Sequence, residues 1–206
     1  KKAYLQCAER LSSCRKKNAD NLAEKIKKAL LEVNFLDVQF EINVSEKEHY
    51  TAKGIDDVEF LISTNPGEMV RSLGKVASGG ELSRIMLAIK SVLAQQDEVE
   101  TLIFDEIDVG ISGRTAQKVS EKMALIAGKH QVLCITHLPQ IAAMADEHFI
   151  IEKFVESEKT ATHIRSLSQM GSVDELARML GGAEITDAVR KNAQEMKKLA
   201  KQKKAA

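Results

Sequence analysis

The chain has 206 residues, enough for a sizeable core, and its 44% hydrophobic and 29% charged residues are typical of a folded globular protein. Thirty basic and thirty acidic side chains cancel, so net charge gives no argument for binding nucleic acid or a membrane surface. No apolar run reaches the ~20 residues that a membrane-spanning helix needs, which predicts a protein without a membrane segment.

The cysteines, Cys7, Cys14 and Cys134, are odd in number and lack C-x-x-C spacing. This pattern predicts reduced thiols in a cytoplasmic protein, mostly with packing roles rather than metal or disulfide roles. The chain opens on Lys1-Lys2, without a methionine and inside a helical pattern, so we expect a fragment of a longer protein.

Residues 1–33 are rich in Lys, Glu, Ala and Leu and contain neither Gly nor Pro. Apolar residues recur at spacings of three and four, which predicts a helix with one apolar seam that Arg15 and Asn18 interrupt. Two interpretations stay open: an ordinary surface helix, or the returning arm of a long coiled coil. The seam consists of Tyr4, Ala8, Leu11, Leu22, Ile26, Ala29 and Val33.

Two alternating patterns, at 36–44 and 58–62, predict strands that each bury one face. The segment 45–57 between them is polar. Asn65-Pro66-Gly67 predicts a turn after the second strand, because Pro fixes φ and Gly supplies a positive φ. We therefore expect the first sheet to be antiparallel.

The pattern changes at residue 78. Helices are predicted at about 80–95 and 113–128, and continuous apolar strands at 101–104 and 132–135. Apolar strands that alternate with helices are typical of parallel strands covered on both faces.

The last part of the chain is predicted to contain two strands and two helices. Strands are expected at 149–151 and 162–168. Ser172 starts a capping-box pattern that predicts the first helix, and the paired glycines 181–182 end it. Thr186 is a candidate cap for a final helix that runs into the Lys-rich end.

Polar side chains follow both continuous apolar strands. Asp105 and Glu106 end the first, and Thr136 and His137 end the second, where ligands gather in open α/β sheets. Successive strand residues point opposite ways, so one carboxylate can face a metal and the next a substrate water. A helix N-cap is the alternative interpretation of the two carboxylates.

Residues 77–84 (Ala-Ser-Gly-Gly-Glu-Leu-Ser-Arg) combine two glycines with a helix start. The glycines allow close backbone approach to a ligand, and the free N–H groups of a helix N-terminus bind phosphate well. Ser78 and Glu81 also have capping-box spacing, which would only start the helix. The residues themselves leave both interpretations open.

Taken together and in order, these elements resemble the head of an ABC-type ATPase. The segment 101–106 resembles a Walker B strand, 107–112 occupies the D-loop position, and His137 occupies the switch-histidine position. The resemblance to the signature motif rests on Ser78, Gly79, Gly80 and Glu81.

Within that family the chain resembles the bacterial RecN family, the SMC-like ABC ATPases of DNA double-strand-break repair. Transporter subunits usually continue the Walker B pair with Pro-Thr and an Ala-Leu-Asp D-loop, whereas this chain continues Ile-Asp-Val-Gly-Ile-Ser. The resemblance covers nearly the whole chain and is weakest over 1–33 and after 190. The segments that carry it are 64–67, 75–84, 104–113, 135–142 and 176–182.

The resemblance implies an α/β fold, the carboxy-terminal lobe of a P-loop ABC-type head. That lobe would span 34–206, with helix-covered parallel strands and an antiparallel β part, and 1–33 would be the returning coiled-coil arm. It also implies a cytoplasmic, nucleoid-associated bacterial protein that acts on DNA.

The resemblance further implies a role for each candidate residue. Asp105 would hold Mg²⁺, usually through water, and Glu106 would orient or deprotonate the attacking water. His137 would sense the γ-phosphate of ATP, and Asp108 in the D-loop would couple two sites across a head dimer. The signature residues would contact the γ-phosphate of an ATP held by the opposing head.

No G-x-x-x-x-G-K-S/T phosphate loop occurs in the sequence; Gly74-Lys75 is followed by Val76. The family places that loop in an amino-terminal lobe, so we expect this chain to need that lobe as a partner and to bind ATP poorly alone. Two further functions stay open: a transporter nucleotide-binding subunit, and a non-catalytic module that binds nucleotide only to dimerise. The remaining histidines, His49, His130, His148 and His163, are expected at the surface or at edges. The lysines from Lys197 to Lys204 are expected on a solvated helix face or a frayed tail, and a contact with phosphate backbones is the alternative.

Overall fold

The computed structural model describes residues 2–76, 78–156, 159–182 and 184–205. The chain divides into two compact units, Lys1–Val99 and Glu100–Ala206. The helices of the described residues are α1 Lys2–Glu32, α2 Gly79–Leu93, α3 Gly113–Ala127, α4 Pro139–Ala142, α5 Gln169–Gly181 and α6 Asp187–Ala205, with a 3-10 turn at Leu73–Lys75. The strands are β1 Gln39–Thr51, β2 Gly54–Ser63, β3 Arg71–Ser72, β4 Thr101–Phe104, β5 Gln131–Cys134, β6 Phe149–Glu156 and β7 Lys159–Ser166. Over these ranges no helix combines the length and apolarity that crossing a membrane requires.

The first unit contains the predicted antiparallel sheet, in the order β1-β2-β3. Its hairpin is longer than the sequence pattern indicated, because β1 runs on to Thr51 and β2 already starts at Gly54. The two strands therefore extend from the alternating patterns into the polar segment 45–57. Backbone pairing does not require apolar side chains, and an exposed hairpin end can be polar on both faces. The turn at 65–67 is confirmed, with Gly67 at φ 77°.

The predicted first helix is confirmed as α1, which packs on β1, β2 and α2. Arg15 does not simply interrupt its seam: the guanidinium lies 2.8 Å from the Asp56 carboxylate and donates to the Lys53 carbonyl at 2.9 Å. The packing role predicted for Cys7 and Cys14 is wrong, since both lie on the exposed side of α1. The interpretation of 1–33 as a coiled-coil arm stays a prediction.

The second unit contains the predicted parallel pair, with Thr101 opposite Gln131 and Phe104 opposite Cys134. The helix before β5 is confirmed as α3, which packs on β5. Within the described chain the pair is covered on one face only. Leu102 and Phe104 are buried, whereas Ile103 is 68% and Leu133 47% exposed. The expectation of two covered faces is therefore not met by this chain alone.

Helices α4, α5 and α6 share a small core built from Ala142, Leu176 and Ala193 with their neighbours. The capping prediction at Ser172 is wrong. Helix α5 begins at Gln169, and its N-cap is Ser168, whose hydroxyl accepts from the Gly171 N–H at 3.1 Å.

Ser172 is instead buried inside α5, with its Oγ 2.9 Å from Nδ1 of His148. Burial, with a smaller contribution from the nearby Lys197 ammonium, lowers the pKa of His148 below its usual range. The two predicted helix boundaries that follow are confirmed. Gly182 caps α5 at φ 64°, and the Thr186 hydroxyl accepts from the Val189 N–H at 3.3 Å.

Candidate functional site

The carboxyl end of β4 presents two exposed carboxylates, Asp105 and Glu106. The Glu106 backbone N–H donates to Oδ1 of Asp105 at 2.9 Å, which holds the Asp105 side chain against the backbone of Glu106. Neither caps a helix, because α3 starts at Gly113 with Ser112 as its N-cap. The helix-cap interpretation of this pair is therefore wrong.

Glu106 has φ 58°, a left-handed conformation that costs a non-glycine residue on the order of 1–3 kcal/mol. A turn follows, in which the Val109 N–H donates to the Glu106 carbonyl at 3.1 Å and Gly110 has φ 74°. This turn sends Ile107 and Asp108 inward, at 0% and 4% exposure, and leaves the Glu106 side chain outside. Backbone strain of this kind clusters at functional sites, where surrounding structure holds it in place.

Asp108 joins the turn after β4 to the loop after β5. Its Oδ2 accepts from the Thr136 hydroxyl at 2.6 Å and from the His137 backbone N–H at 2.8 Å, and it lies 2.9 Å from Nδ1 of His137. The Thr136 hydroxyl in turn accepts from the Leu138 N–H at 3.0 Å. The His137 side chain is 72% exposed, so an exposed imidazole is held by a buried carboxylate.

This connection is not visible in the sequence pattern. The pattern shows Thr136 only as a polar strand end, and the family resemblance places Asp108 only in the D-loop. The one usable signal was that both follow apolar strands that pair in parallel, so that their carboxyl ends meet. The coupling of two sites across a dimer by Asp108 stays a prediction.

The candidate signature motif opens α2 in the first unit. Ser78 is the N-cap of α2, with its Oγ 3.4 Å from the Glu81 backbone nitrogen, and Gly79 and Gly80 form the first helical residues. The capping interpretation is thus confirmed at long hydrogen-bond distance. It does not conflict with phosphate binding, because the N–H groups of the first turn still lack partners inside the helix. Ala77, the first residue of the segment 77–84, lies outside the described residues.

Asp105 is the candidate magnesium ligand of the two exposed carboxylates at this strand end. Among the residues that the structure describes, no group of three or more His, Cys, Asp or Glu side chains converges as a preformed metal site. Asp105 nevertheless fits Mg²⁺, which usually takes one or two carboxylates, keeps several waters and completes its shell with substrate phosphate oxygens. The donor set suits an ion that arrives with a nucleotide.

Cys134 is the last residue of β5, and its thiol lies near the carboxylates of Asp108 and Asp105. Burial, and then the charges of Asp108 and Asp105, raise its pKa to about 12. We expect a chromogenic thiol reagent at mildly alkaline pH to modify Cys134 about 10³-fold more slowly than an unperturbed thiol, because only the thiolate reacts.

The exposed Cys7 and Cys14 serve as internal references for this prediction. Two thiols should react quickly in the native chain and the third only after denaturation, and Cys134→Ser should remove only the slow phase. Three equal fast rates would contradict the burial and charge assigned to Cys134.

The remaining histidines and the lysines of α6 lie outside this strand end. His130 is buried at 8% exposure, so its placement at the surface was wrong; His49 and His163 are exposed as expected. Lys197 donates to the Ala145 carbonyl at 3.1 Å, and Lys204 pairs with Asp146.

Lys203 likewise pairs with Glu121 of α3. These contacts attach α6 to its own unit while Lys203 and Lys204 stay exposed, in agreement with the predicted solvated helix face. A contact of these lysines with phosphate backbones stays a prediction.

The chain is similar in sequence to bacterial DNA repair proteins named RecN. No protein-family model matches the chain. The chain is 45% identical over 198 residues to the DNA repair protein RecN of Bacillus subtilis, covering 91% of this chain and 34% of that protein. It is 42% identical over 190 residues to RecN of Haemophilus influenzae, covering 92% and 34%. The chain thus spans about a third of the length of these relatives.

The fold of this chain is similar to that of solved Smc head domains. The Smc head domain with a coiled coil and joint from Pyrococcus yayanosii matches with a TM-score of 0.54 at 18% identity, covering 75% of this chain and 28% of that one. The Smc head domain from Pyrococcus furiosus matches with a TM-score of 0.52 at 18% identity, covering 77% and 37%. The fold is that of part of an SMC-type head.

Proposed function

From the premise that this chain matches the carboxy-terminal part of RecN proteins over most of its length, we propose that it is the carboxy-terminal part of a RecN-like ATPase head in DNA double-strand-break repair. The observation that carries the proposal is the meeting of Asp105, Glu106 and His137 at the carboxyl ends of β4 and β5. That edge is where an α/β sheet binds its ligands.

Each side chain at this edge suits one part of phosphoryl transfer to water. Asp105 offers a hard oxygen for Mg²⁺, which supplies charge neutralisation of the phosphates when bound. Glu106 projects beside it and orients or deprotonates the attacking water. His137 presents the outer edge of its imidazole to the γ-phosphate. Positioning and electrostatics, rather than covalent chemistry, provide most of the catalysis in this reaction class.

The signature motif serves a second nucleotide. Ser78, Gly79 and Gly80 start α2 and offer helix N-terminal N–H groups to the γ-phosphate of an ATP held by an opposing head. Two heads then enclose two nucleotides as a homodimer. Glu81, at the third position of α2, places its carboxylate in the first turn, where it complements the helix dipole.

The partner lobe is the amino-terminal part of the same protein. This is supported by the missing phosphate loop and by the uncovered face of the β4-β5 pair, where Ile103, Leu133 and Ile135 are 68%, 47% and 55% exposed. Paired parallel strands are normally covered on both faces, so this apolar face suits burial against further protein.

DNA as a further partner is suggested by the names of the bacterial relatives, which are DNA repair proteins. A place in the bacterial cytoplasm near the nucleoid is part of the same proposal. The transporter alternative is not favoured, because the relatives are RecN proteins and the solved neighbours are Smc heads. The non-catalytic dimerisation module stays open and is separated by the Glu106 variant discussed below.

We expect ATP turnover only after this chain is co-expressed with the missing amino-terminal lobe, because the phosphate-binding loop and the Walker B carboxylates then meet in one head. Steady-state ATPase assays on the chain alone, the lobe alone and the co-purified pair test this. Robust turnover by the chain alone would contradict the composite site. A pair that co-purifies and binds ATP but never hydrolyses it would favour the dimerisation module.

A further inference from the structure

The contacts of Asp108 connect two loops that the proposed chemistry uses. Asp108 belongs to the strained turn that carries Glu106. Its Oδ2 accepts hydrogen bonds from the Thr136 hydroxyl and from the His137 backbone N–H, and Nδ1 of His137 lies 2.9 Å from the same oxygen. A buried carboxylate is stable only where donors replace its hydration, and here two donors bond to one oxygen. One of the two is the His137 backbone N–H, so the carboxylate fixes the backbone of that residue and lies against its ring.

The closeness of this contact favours one tautomer of His137. An ionised carboxylate only accepts hydrogen bonds, so the 2.9 Å separation between Nδ1 and Oδ2 of Asp108 favours a neutral imidazole with its proton on Nδ1. Nε2 is then the ring nitrogen available to a ligand on the exposed side of the ring. Without such an acceptor, a histidine in water favours the opposite tautomer, with the proton on Nε2.

We propose that Asp108 is a positioning residue for His137, holding its Nδ1–H so that Nε2 faces the nucleotide site. Under the proposed function, on which this role in turnover rests, Nε2 takes up a proton from solvent and donates to a γ-phosphate oxygen. The carboxylate behind the ring offsets the positive charge of the resulting imidazolium, as an orienting carboxylate does behind other functional histidines. The catalytic contact belongs to His137, and Asp108 acts through it.

The tautomer can be measured without ATPase activity. Long-range ¹⁵N–¹H correlation spectra of the full chain, labelled at its five histidines, distinguish the two ring nitrogens, and His137→Gln assigns the resonances. At an alkaline pH we expect wild-type His137 to carry its proton on Nδ1. Asp108→Ala should move the proton to Nε2.

Thr136→Val is the matched control. It removes one of the two hydrogen-bond donors to the same oxygen, and the acceptor of the Leu138 N–H, but leaves the carboxylate facing Nδ1. It should perturb the loop and keep the Nδ1–H tautomer. A merely structural Asp108 would give the same spectra for both variants.

Two spectral outcomes would overturn the proposal: a wild-type His137 with its proton on Nε2, or an Nδ1–H tautomer that survives in Asp108→Ala. If Asp108→Ala does not fold, the wild-type tautomer still decides, and Asp108→Asn serves as the second variant. It keeps the shape of the side chain and should shift the Nδ1 resonance of His137, since the acceptor loses its charge.

Turnover in the reunited head supplies an independent readout. Removal of an orienting carboxylate behind a metal-binding histidine costs about 10–10²-fold, and we expect a similar loss of kcat for Asp108→Ala, with a smaller change in KM. The double variant Asp108→Ala/His137→Gln should be no slower than the slower single variant, because both act through one group. Multiplying losses would overturn the positioning role. A wild-type head without turnover would defeat the proposed function and leave the tautomer result standing.

Discussion

Glu106→Gln in the reunited head is expected to lower ATP turnover about 10²–10⁴-fold while ATP binding is retained, the range that a positioned general base contributes. Glutamine has nearly the same shape as glutamate and can occupy the same exposed position after β4. It cannot accept a proton from the attacking water at neutral pH. The loss should therefore appear in kcat, with little change in the affinity for ATP.

Glu147→Gln is a matched control for this variant. Glu147 is exposed in the same unit but lies outside the candidate site, so its substitution removes one charge and should leave turnover unchanged. Unchanged turnover in Glu106→Gln would defeat the catalytic assignment and favour a module that binds nucleotide only to dimerise. Loss of nucleotide binding together with turnover would show that Glu106 holds the nucleotide or the fold instead.

A large loss of folding stability is expected from a substitution in the first unit. Arg15→Ala is expected to lower the free energy of unfolding by about 2–3 kcal/mol, because it leaves the Asp56 carboxylate, 2% exposed, without its 2.8 Å partner. The value lies at or below the lower end of the range for broken buried pairs, since the Arg15 side chain is 29% exposed and solvent screens part of the interaction. Urea unfolding with an unchanged m-value would measure it.

Two comparisons make this test specific. Arg10→Ala removes an exposed arginine from the same helix and should change stability by less than about 0.5 kcal/mol. The joint replacement Arg15→Met/Asp56→Leu should recover most of the loss, because no unpaired charge stays buried. Equal effects of the Arg10 and Arg15 variants would contradict the importance of the pair.

The same carboxylate predicts an acid dependence of stability. A hydrogen bond from Ser12, and then the Arg15 guanidinium, hold the pKa of Asp56 below its ordinary value. Because the folded-state pKa is depressed, this stabilisation is fully present above the ordinary Asp pKa of about 3.9 and is lost as pH falls through the lowered value. Asp56→Asn should remove this part of the acid dependence.

Much of the secondary structure could be predicted because its signals are local. Spacings of three and four residues identify α1, and apolar runs closed by polar residues identify β4 and β5. The incorrect prediction of the α5 N-cap arose because two nearby residues carry the same local signal. Ser168 and Ser172 both have the hydroxyl that an N-cap requires, and only the burial of Ser172 against His148 excludes it as the cap.

The α/β class and the positions of the candidate residues Asp105, Glu106 and His137 can be predicted from the amino-acid order alone, since each residue follows the end of a predicted strand. The contacts of Arg15 and Asp108 appear only in the folded chain. Arg15 lies 41 residues from Asp56, and Asp108 lies 28 residues from Thr136, so each contact depends on how whole elements pair. Parallel pairing of β4 and β5 brings their ends together, and the positive φ of Glu106 turns Asp108 inward. Neither the pairing partner nor the inward turn is encoded in any short run of residues.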